Sequence, residues 1–344
     1  MSRSVVTVPV TVAVKSTTPG RPVRRLVAPL CRPLLAFTLL VVPLAACGGE
    51  ASSSAPPAGE GLPKVEGAYG EKPTLSVPED DPATELKSAV LSHGEGPEVA
   101  SGDLLVVDYL GQIWAEGKPE VFDNSYDRGV PTAFPIGTGG VIKAWDEVLV
   151  GVKAGSRVLM TVPPDKGYGE KGNPPSIEGT DTLIFVVDVI TSFNKASTAK
   201  GTPTGKTGAS GVAVTGDVGA EPAVTVPPAT PPPTEPSVTV LSRGSGEPVK
   251  GPSAVIADVV VSSWDGQQRQ SSWEQGPQSL TVGDPTTPSP LDSLVGVPVG
   301  SRVLVLLPPP AGQDPASGNQ DPATASVAAV IDVLGAPGPA KEST

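Results

Sequence analysis

The chain has 344 residues, of which 42 are proline and 40 glycine; only 38% are apolar and 4% aromatic. That composition excludes one continuous core of this length and favours small domains joined by linkers. A formal net charge of −12 disfavours nucleic-acid partners, and one histidine (His93) with two cysteines (Cys31, Cys47) excludes most zinc sites, thiol–disulfide chemistry and histidine-based triads.

The first 46 residues carry six basic side chains and no acidic one. Residues 34–46 form an apolar run ending Leu44-Ala45-Ala46 before Cys47. Such a run after a basic segment is a signal-peptide core, too short to remain in a bilayer. The ending is similar to a bacterial lipobox. That resemblance implies removal of residues 1–46 and lipidation of Cys47, which would hold the chain at the outer face of the cytoplasmic membrane. Arg24-Arg25 leaves both the general and the twin-arginine export routes open. Residues 47–74 read as a flexible tether, being rich in Gly, Ser, Ala and Pro near the cysteine.

Residues 75–194 read mostly as strand. Leu105, Val107 and Tyr109 alternate with Val106, Asp108 and Leu110, residues 157–162 form a strand stopped by Pro163-Pro164, and residues 183–190 place Leu183, Phe185, Val187 and Val189 on one face. Ile142, Trp145 and Leu149 fall at helical spacing before Gly151. One short helix against an antiparallel sheet is an α+β arrangement. Residues 195–235 contain no aromatic residue and are dominated by Pro, Gly and Thr. They read as a disordered linker, stiffened by Pro231-Pro232-Pro233.

Residues 236–336 repeat the first module. Val90-Leu91-Ser92 matches Val240-Leu241-Ser242, Gly155-Ser156-Arg157-Val158-Leu159 matches Gly300-Ser301-Arg302-Val303-Leu304, and Val187-Asp188-Val189 matches Ile331-Asp332-Val333. Residues 337–344 read as a disordered tail. The repeat places Val259 opposite Tyr109, Gln268 and Arg269 opposite Phe122 and Asp123, Leu291 opposite Trp145, and Ala329 opposite Phe185.

Nine of the thirteen aromatic residues lie between 75 and 193. Their spacing alone fits either a small core or an aromatic-lined pocket. The strings Val107-Asp108-Tyr109-Leu110-Gly111, Val121-Phe122-Asp123, Asp127-Arg128-Gly129, Val141-Ile142-Lys143-Ala144-Trp145, Gly167-Tyr168-Gly169 and Leu183-Ile184-Phe185-Val186-Val187 occur in that order. Together they resemble the FKBP-type peptidyl-prolyl cis-trans isomerases across nearly all of residues 88–192. The resemblance implies two antiparallel half-barrels, each wrapped on a short helix, and a cofactor-free, metal-free rotamase. It further implies Trp145 as pocket floor and Tyr109, Phe122, Val141, Ile142 and Phe185 as apolar walls. Tyr168 would bond one substrate carbonyl and the Ile142 N–H another. Asp123 would be the pocket carboxylate beside Arg128, and Ile177 would overhang the pocket.

Thr132, Asn173 and Ser176 depart from the family pattern and leave the overhang and substrate preference open. The implied partners are proline-containing exported polypeptides and macrolide immunosuppressants in the same pocket. The alternative is a non-enzymatic peptide-binding chaperone or envelope scaffold lipoprotein. The second copy, stripped of the aromatic set, reads as a degenerate, non-catalytic module. Heavy use of Ala, Gly, Pro and Val suits a high-GC actinobacterial source.

Overall fold

A computed structural model describes residues 61–115, 120–309 and 326–340. The expected signal segment and Cys47 lie outside the described residues. A hairpin of β1 (Lys64–Glu66) and β2 (Thr74–Ser76) precedes a six-stranded antiparallel sheet. That sheet comprises β3 (Lys87–Ser92), β4 (Leu104–Ile113), β5 (Glu120–Asn124), β6 (Thr132–Pro135), β7 (Arg157–Val162) and β8 (Leu183–Phe193), in the order β3-β7-β8-β4-β5, with β6 also paired to β4. Helix α1 (Lys143–Leu149) lies between β6 and β7 in the chain.

Side chains alternate across strands, so the sheet has two distinct faces. Leu105, Val107, Tyr109, Phe185, Val187 and Val189 face the front, where they share one core with Ala144, Trp145 and Leu149 of α1. Leu110, Leu159, Ile184 and Val186 face the back, where Leu62, Val65, Leu75 and Val77 of the N-terminal hairpin cover them. Ile142 is the extended residue that opens α1, and Gly151, at φ 87°, follows it. The Asp146 carboxylate accepts the N–H groups of Gly137 and Gly139 at 2.6 and 2.8 Å, pinning the loop that leads into the helix.

A second sheet follows. Short strands β9 (Thr202–Pro203), β10 (Gly208–Ala209), β11 (Val212–Thr215) and β12 (Ala223–Thr225) lead into β13 (Ser237–Arg243), β14 (Ser253–Ser263), β15 (Arg269–Ser271), β16 (Gln278–Val282), β17 (Arg302–Leu307) and β18 (Val327–Gly335). The order is β15-β14-β18-β17-β13-β9, with β16 paired to β14. The register repeats as well as the order. A bulge after Val90 brings Ser92 opposite Arg157, and one after Val240 brings Ser242 opposite Arg302.

Several expectations are corrected. Residues 64–76 are a docked hairpin, not tether. Residues 202–225 carry four strands, not a disordered linker. The second sheet has a 3₁₀ turn, Pro290–Leu294, where the first has α1. The tail is not free at its start, because Ala340 is buried.

The physical reason is a buried ion pair that recurs. Arg157 meets Asp188 at 2.6 Å and donates to the carbonyls of Gly67 (2.7 Å) and Glu71 (2.6 Å), while the Gly70 N–H donates to Asp188 at 2.8 Å. Arg302 meets Asp332 at 2.6 Å, donates to the carbonyls of Gly216 (3.0 Å) and Ala220 (2.5 Å), and the Gly219 N–H donates to Asp332 at 2.9 Å. The four glycines all have positive φ, which a side chain would resist. Each charged pair thus recruits a Gly-x-x-Gly turn from the chain before its own sheet. Composition hides this, because the glycines that make those segments look disordered are the ones the turn requires.

Candidate active site

The front face of β4 and β8, the end of β5 and helix α1 bring the expected aromatic residues together. Trp145 stands at the centre, with its indole edge-to-face against Tyr109 (centroids 5.5 Å apart), Phe185 (5.5 Å) and Phe134 (5.2 Å). Phe122 packs edge-to-face on Phe185 at 5.6 Å. Edge-to-face pairs of this kind contribute about 0.5–1.5 kcal/mol each beyond area burial. Gly111 makes the Phe122–Phe185 contact possible: a Cβ there would stand 2.6 Å from Phe122 Cζ and 3.0 Å from Phe185 Cε1.

The cluster is graded from floor to rim. Trp145 is 4% exposed and Phe185 3%, Phe122, Val141 and Ile142 are half-buried, and Tyr168 is 40% exposed. Ile177 is buried in the same core. The indole N–H of Trp145 has no hydrogen-bond partner, and neither has the Ile142 N–H among the described residues.

One polar group borders this apolar surface. The Tyr109 hydroxyl donates to Asp123, and Arg128 donates to the other carboxylate oxygen of Asp123. Arg128 also reaches the Tyr109 hydroxyl and Thr132 Oγ1, both at 3.3 Å. Thr132, a departure from the family pattern, therefore takes part in holding the arginine. Burial, then the bond to Asp123, pushes the Tyr109 phenol well above its ordinary range. Burial, followed by the Asp123 charge, raises the Tyr168 phenol as well.

Phe134 is a residue that spacing does not mark. It lies on β6 opposite Leu105 and supports both Trp145 and Tyr109. Its signal in the sequence is the string Phe134-Pro135-Ile136-Gly137, which puts an aromatic residue shortly before the helix of Trp145.

In the second sheet the register corrects one alignment. Gly111 pairs with Asp123 on β5, and Val261 pairs with Gln270 on β15. Gln270 thus stands at the place of Asp123, one residue later than expected, Arg269 at that of Val121, and Phe122 is the extra residue of a bulge that β15 lacks. The β14–β15 connection is shorter than its counterpart, and sequence alone does not locate the deletion. Val259 for Tyr109, Leu291 for Trp145 and Ala329 for Phe185 agree with the register and with the Gly283 N–H that donates to Asp292 as the Gly137 N–H does to Asp146.

An antiparallel sheet closed on one helix, with aromatic rings at the mouth and a Tyr–Asp–Arg group at the edge, defines a peptide-handling prolyl isomerase site. The family model for the FKBP-type peptidyl-prolyl cis-trans isomerases matches residues 96–190. An FK506-binding protein of Streptomyces anulatus is 36% identical over 121 residues, covering 35% of this chain and 96% of the relative. A probable FK506-binding protein of Corynebacterium glutamicum is 35% identical over 122 residues, covering 36% of this chain and 99% of the relative. The crystal structure of AtFKBP13 is similar at 34% identity, covering 31% of this chain and 91% of that one, with a TM-score of 0.28. The chain belongs to the FKBP-type peptidyl-prolyl cis-trans isomerases, and its activity is rotation about X–Pro bonds.

Proposed function

We propose that residues 88–192 catalyse this rotation on exported polypeptides, with Trp145 as the floor on which the proline ring rests. The reading is carried by the convergence of Tyr109, Phe134 and Phe185 on that one indole, beside the Tyr109–Asp123–Arg128 group. Amide rotation has a barrier of about 18–20 kcal/mol because resonance stabilises the planar form. The planar amide is also the more dipolar form. Apolar walls of Tyr109, Phe122, Val141, Ile142, Ile177 and Phe185 solvate it poorly and favour the twisted state, whose binding lowers the barrier. The Tyr168 hydroxyl and the Ile142 N–H hold the flanking carbonyls. Asp123, fixed by Tyr109 and Arg128, completes the wall. Macrolides of the FK506 type, after which the relatives are named, fit the same surface.

The second sheet is in this reading a degenerate copy of the same module, with Val259, Leu291 and Ala329 in place of Tyr109, Trp145 and Phe185 and no counterpart of Phe122. Lipidation at Cys47 would place the protein at the outer face of the cytoplasmic membrane. A protease-coupled assay on an X–Pro peptide tests the site: wild type is active and Phe122→Ala and Trp145→Ala are not. Equal rates in all three overturn the assignment, and loss of turnover in wild type with retained peptide binding selects a capture-only chaperone. Labelling with a clickable fatty acid tests the anchor, and label that persists in Cys47→Ala would overturn it.

A further inference from the structure

The chain that leaves the second sheet returns to the first. Gly335, the last residue of β18, lies against the Phe193 ring at the end of β8, where a Cβ would stand 2.5 Å from Cζ. Five residues on, Ala340 is 5% exposed, and its N–H donates to Asp108 Oδ2 at 2.7 Å. Asp108 is itself 1% exposed, on the back face of β4, next in sequence to Tyr109. Its other oxygen accepts the Ser125 hydroxyl at 2.6 Å. Ser125 is fully buried; its Oγ accepts the Tyr109 N–H at 2.9 Å, and its own N–H donates to the Tyr109 carbonyl at 3.0 Å. Three residues beyond Ser125 is Arg128, which with Tyr109 holds Asp123.

We propose that Asp108 and Ser125 are positioning residues for the Tyr109–Asp123–Arg128 group, and that Ala340 completes them, so that the second copy serves the first as a structural subunit. The proposal rests on the reading of Tyr109 as part of the isomerase site.

The molecule contains its own comparison. Asp258 occupies the position of Asp108 on β14, and Ser272 that of Ser125, with the Val259 N–H bonded to Ser272 Oγ at 2.9 Å. Among the described residues no backbone N–H reaches Asp258, and Ser272 lies 3.2 Å away. The carboxyl is pushed up to about 6 by burial, with Asp332 adding to the effect. Burial disfavours the charged form of Asp258, and one long hydrogen bond does not offset it. Asp108 has two short hydrogen bonds, and the second comes from the tail that follows the second sheet. The copy that lacks this N–H also lacks an aromatic site for its serine and aspartate to position.

The test uses the full chain. Ala340→Pro removes the N–H, Ala340→Ser keeps it, and Asp108→Asn turns one of the two acceptor oxygens into a donor, so that the Ala340 N–H and the Ser125 hydroxyl can no longer both donate to it. Measured on protein that circular dichroism shows folded, Ala340→Pro and Asp108→Asn are expected to lose about five- to tenfold in kcat/KM, and Ala340→Ser to stay within about twofold of wild type. A merely structural contact would lower Tm without this rescue pattern. Folded Ala340→Pro with wild-type kcat/KM overturns the proposal. Hydrogen exchange decides it if that variant fails to fold: the Ala340 amide of the wild-type chain is expected to be strongly protected, and exchange at the rate of an unstructured peptide overturns it. Full activity in Tyr109→Phe would instead sink the pocket reading, while the exchange result would still report whether the tail is docked.

Discussion

Arg157 and Asp188 are register partners on β7 and β8, and their side chains meet at 2.6 Å with 2% and 0% exposure. Arg302 and Asp332 repeat that relationship on β17 and β18. Tyr126 adds a hydroxyl to Asp188 at 3.0 Å, and burial, then the charges of Asp188 and Asp108, pushes the Tyr69 phenol up to about 12. The pair is a fastening point: five hydrogen bonds join it to the 3₁₀ turn after Ser125 and to the hairpin ahead of the sheet.

Arg157→Ala should therefore destabilise the first module by about 3–5 kcal/mol, since it leaves Asp188 buried and unpaired. Replacing both partners, as Arg157→Met with Asp188→Leu, should cost less. Urea denaturation of the three proteins checks the order, and limited proteolysis should show cleavage between residues 61 and 76 rising first in Arg157→Ala.

Trp145→Leu installs the residue that the second sheet carries at this position. Rate is expected to fall by more than about tenfold, because the floor beneath the proline ring is lost while an apolar volume remains. Isomerase assay and Tm measured together separate this from unfolding: Tm should move far less than for Trp145→Ala, which opens a cavity costing about 3–5 kcal/mol.

Gly111→Val should be as damaging as loss of a ring. Its Cβ would fall 2.6 Å from Phe122 Cζ, so Phe122 and Phe185 must separate. The second sheet shows the compensated state, with Val261 between Ala329 and Gln270 and no bulged ring beside it. Adding Phe185→Ala to Gly111→Val is expected to recover Tm but not turnover.

Asp258 makes stability depend on pH. Its folded-state pKa, about 6, lies above the ordinary carboxylate value, so the folded chain binds the proton more tightly than the unfolded one. The contribution of this group is fully present below about pH 4 and is lost as pH rises through about 6. Asp258→Asn should remove that decline, stabilising the second module on the order of 1–3 kcal/mol at pH 7 and hardly at all at pH 4. Melting curves across that range provide the check.

Strand patterning made most of the first sheet legible. Leu183, Phe185, Val187 and Val189 share a face as alternation requires, and Trp145 and Leu149 face the sheet from one helix as their spacing requires. Periodicity failed where structure rests on turns. The Gly67–Gly70 and Gly216–Gly219 turns look like linker because their order comes from Arg157 and Arg302, about 90 residues further along the chain. The site residues could be named from motifs, but the support of Tyr109 by Ser125, Asp108 and Ala340 joins positions separated by up to 232 residues. No local pattern encodes such a contact.

The N-terminal hairpin covers the reverse of the sheet whose obverse carries Trp145. A pull on residue 61 would therefore reach the sheet from the side opposite the aromatic mouth, and would be borne by the carbonyls of Gly67 and Glu71 on the guanidinium of Arg157.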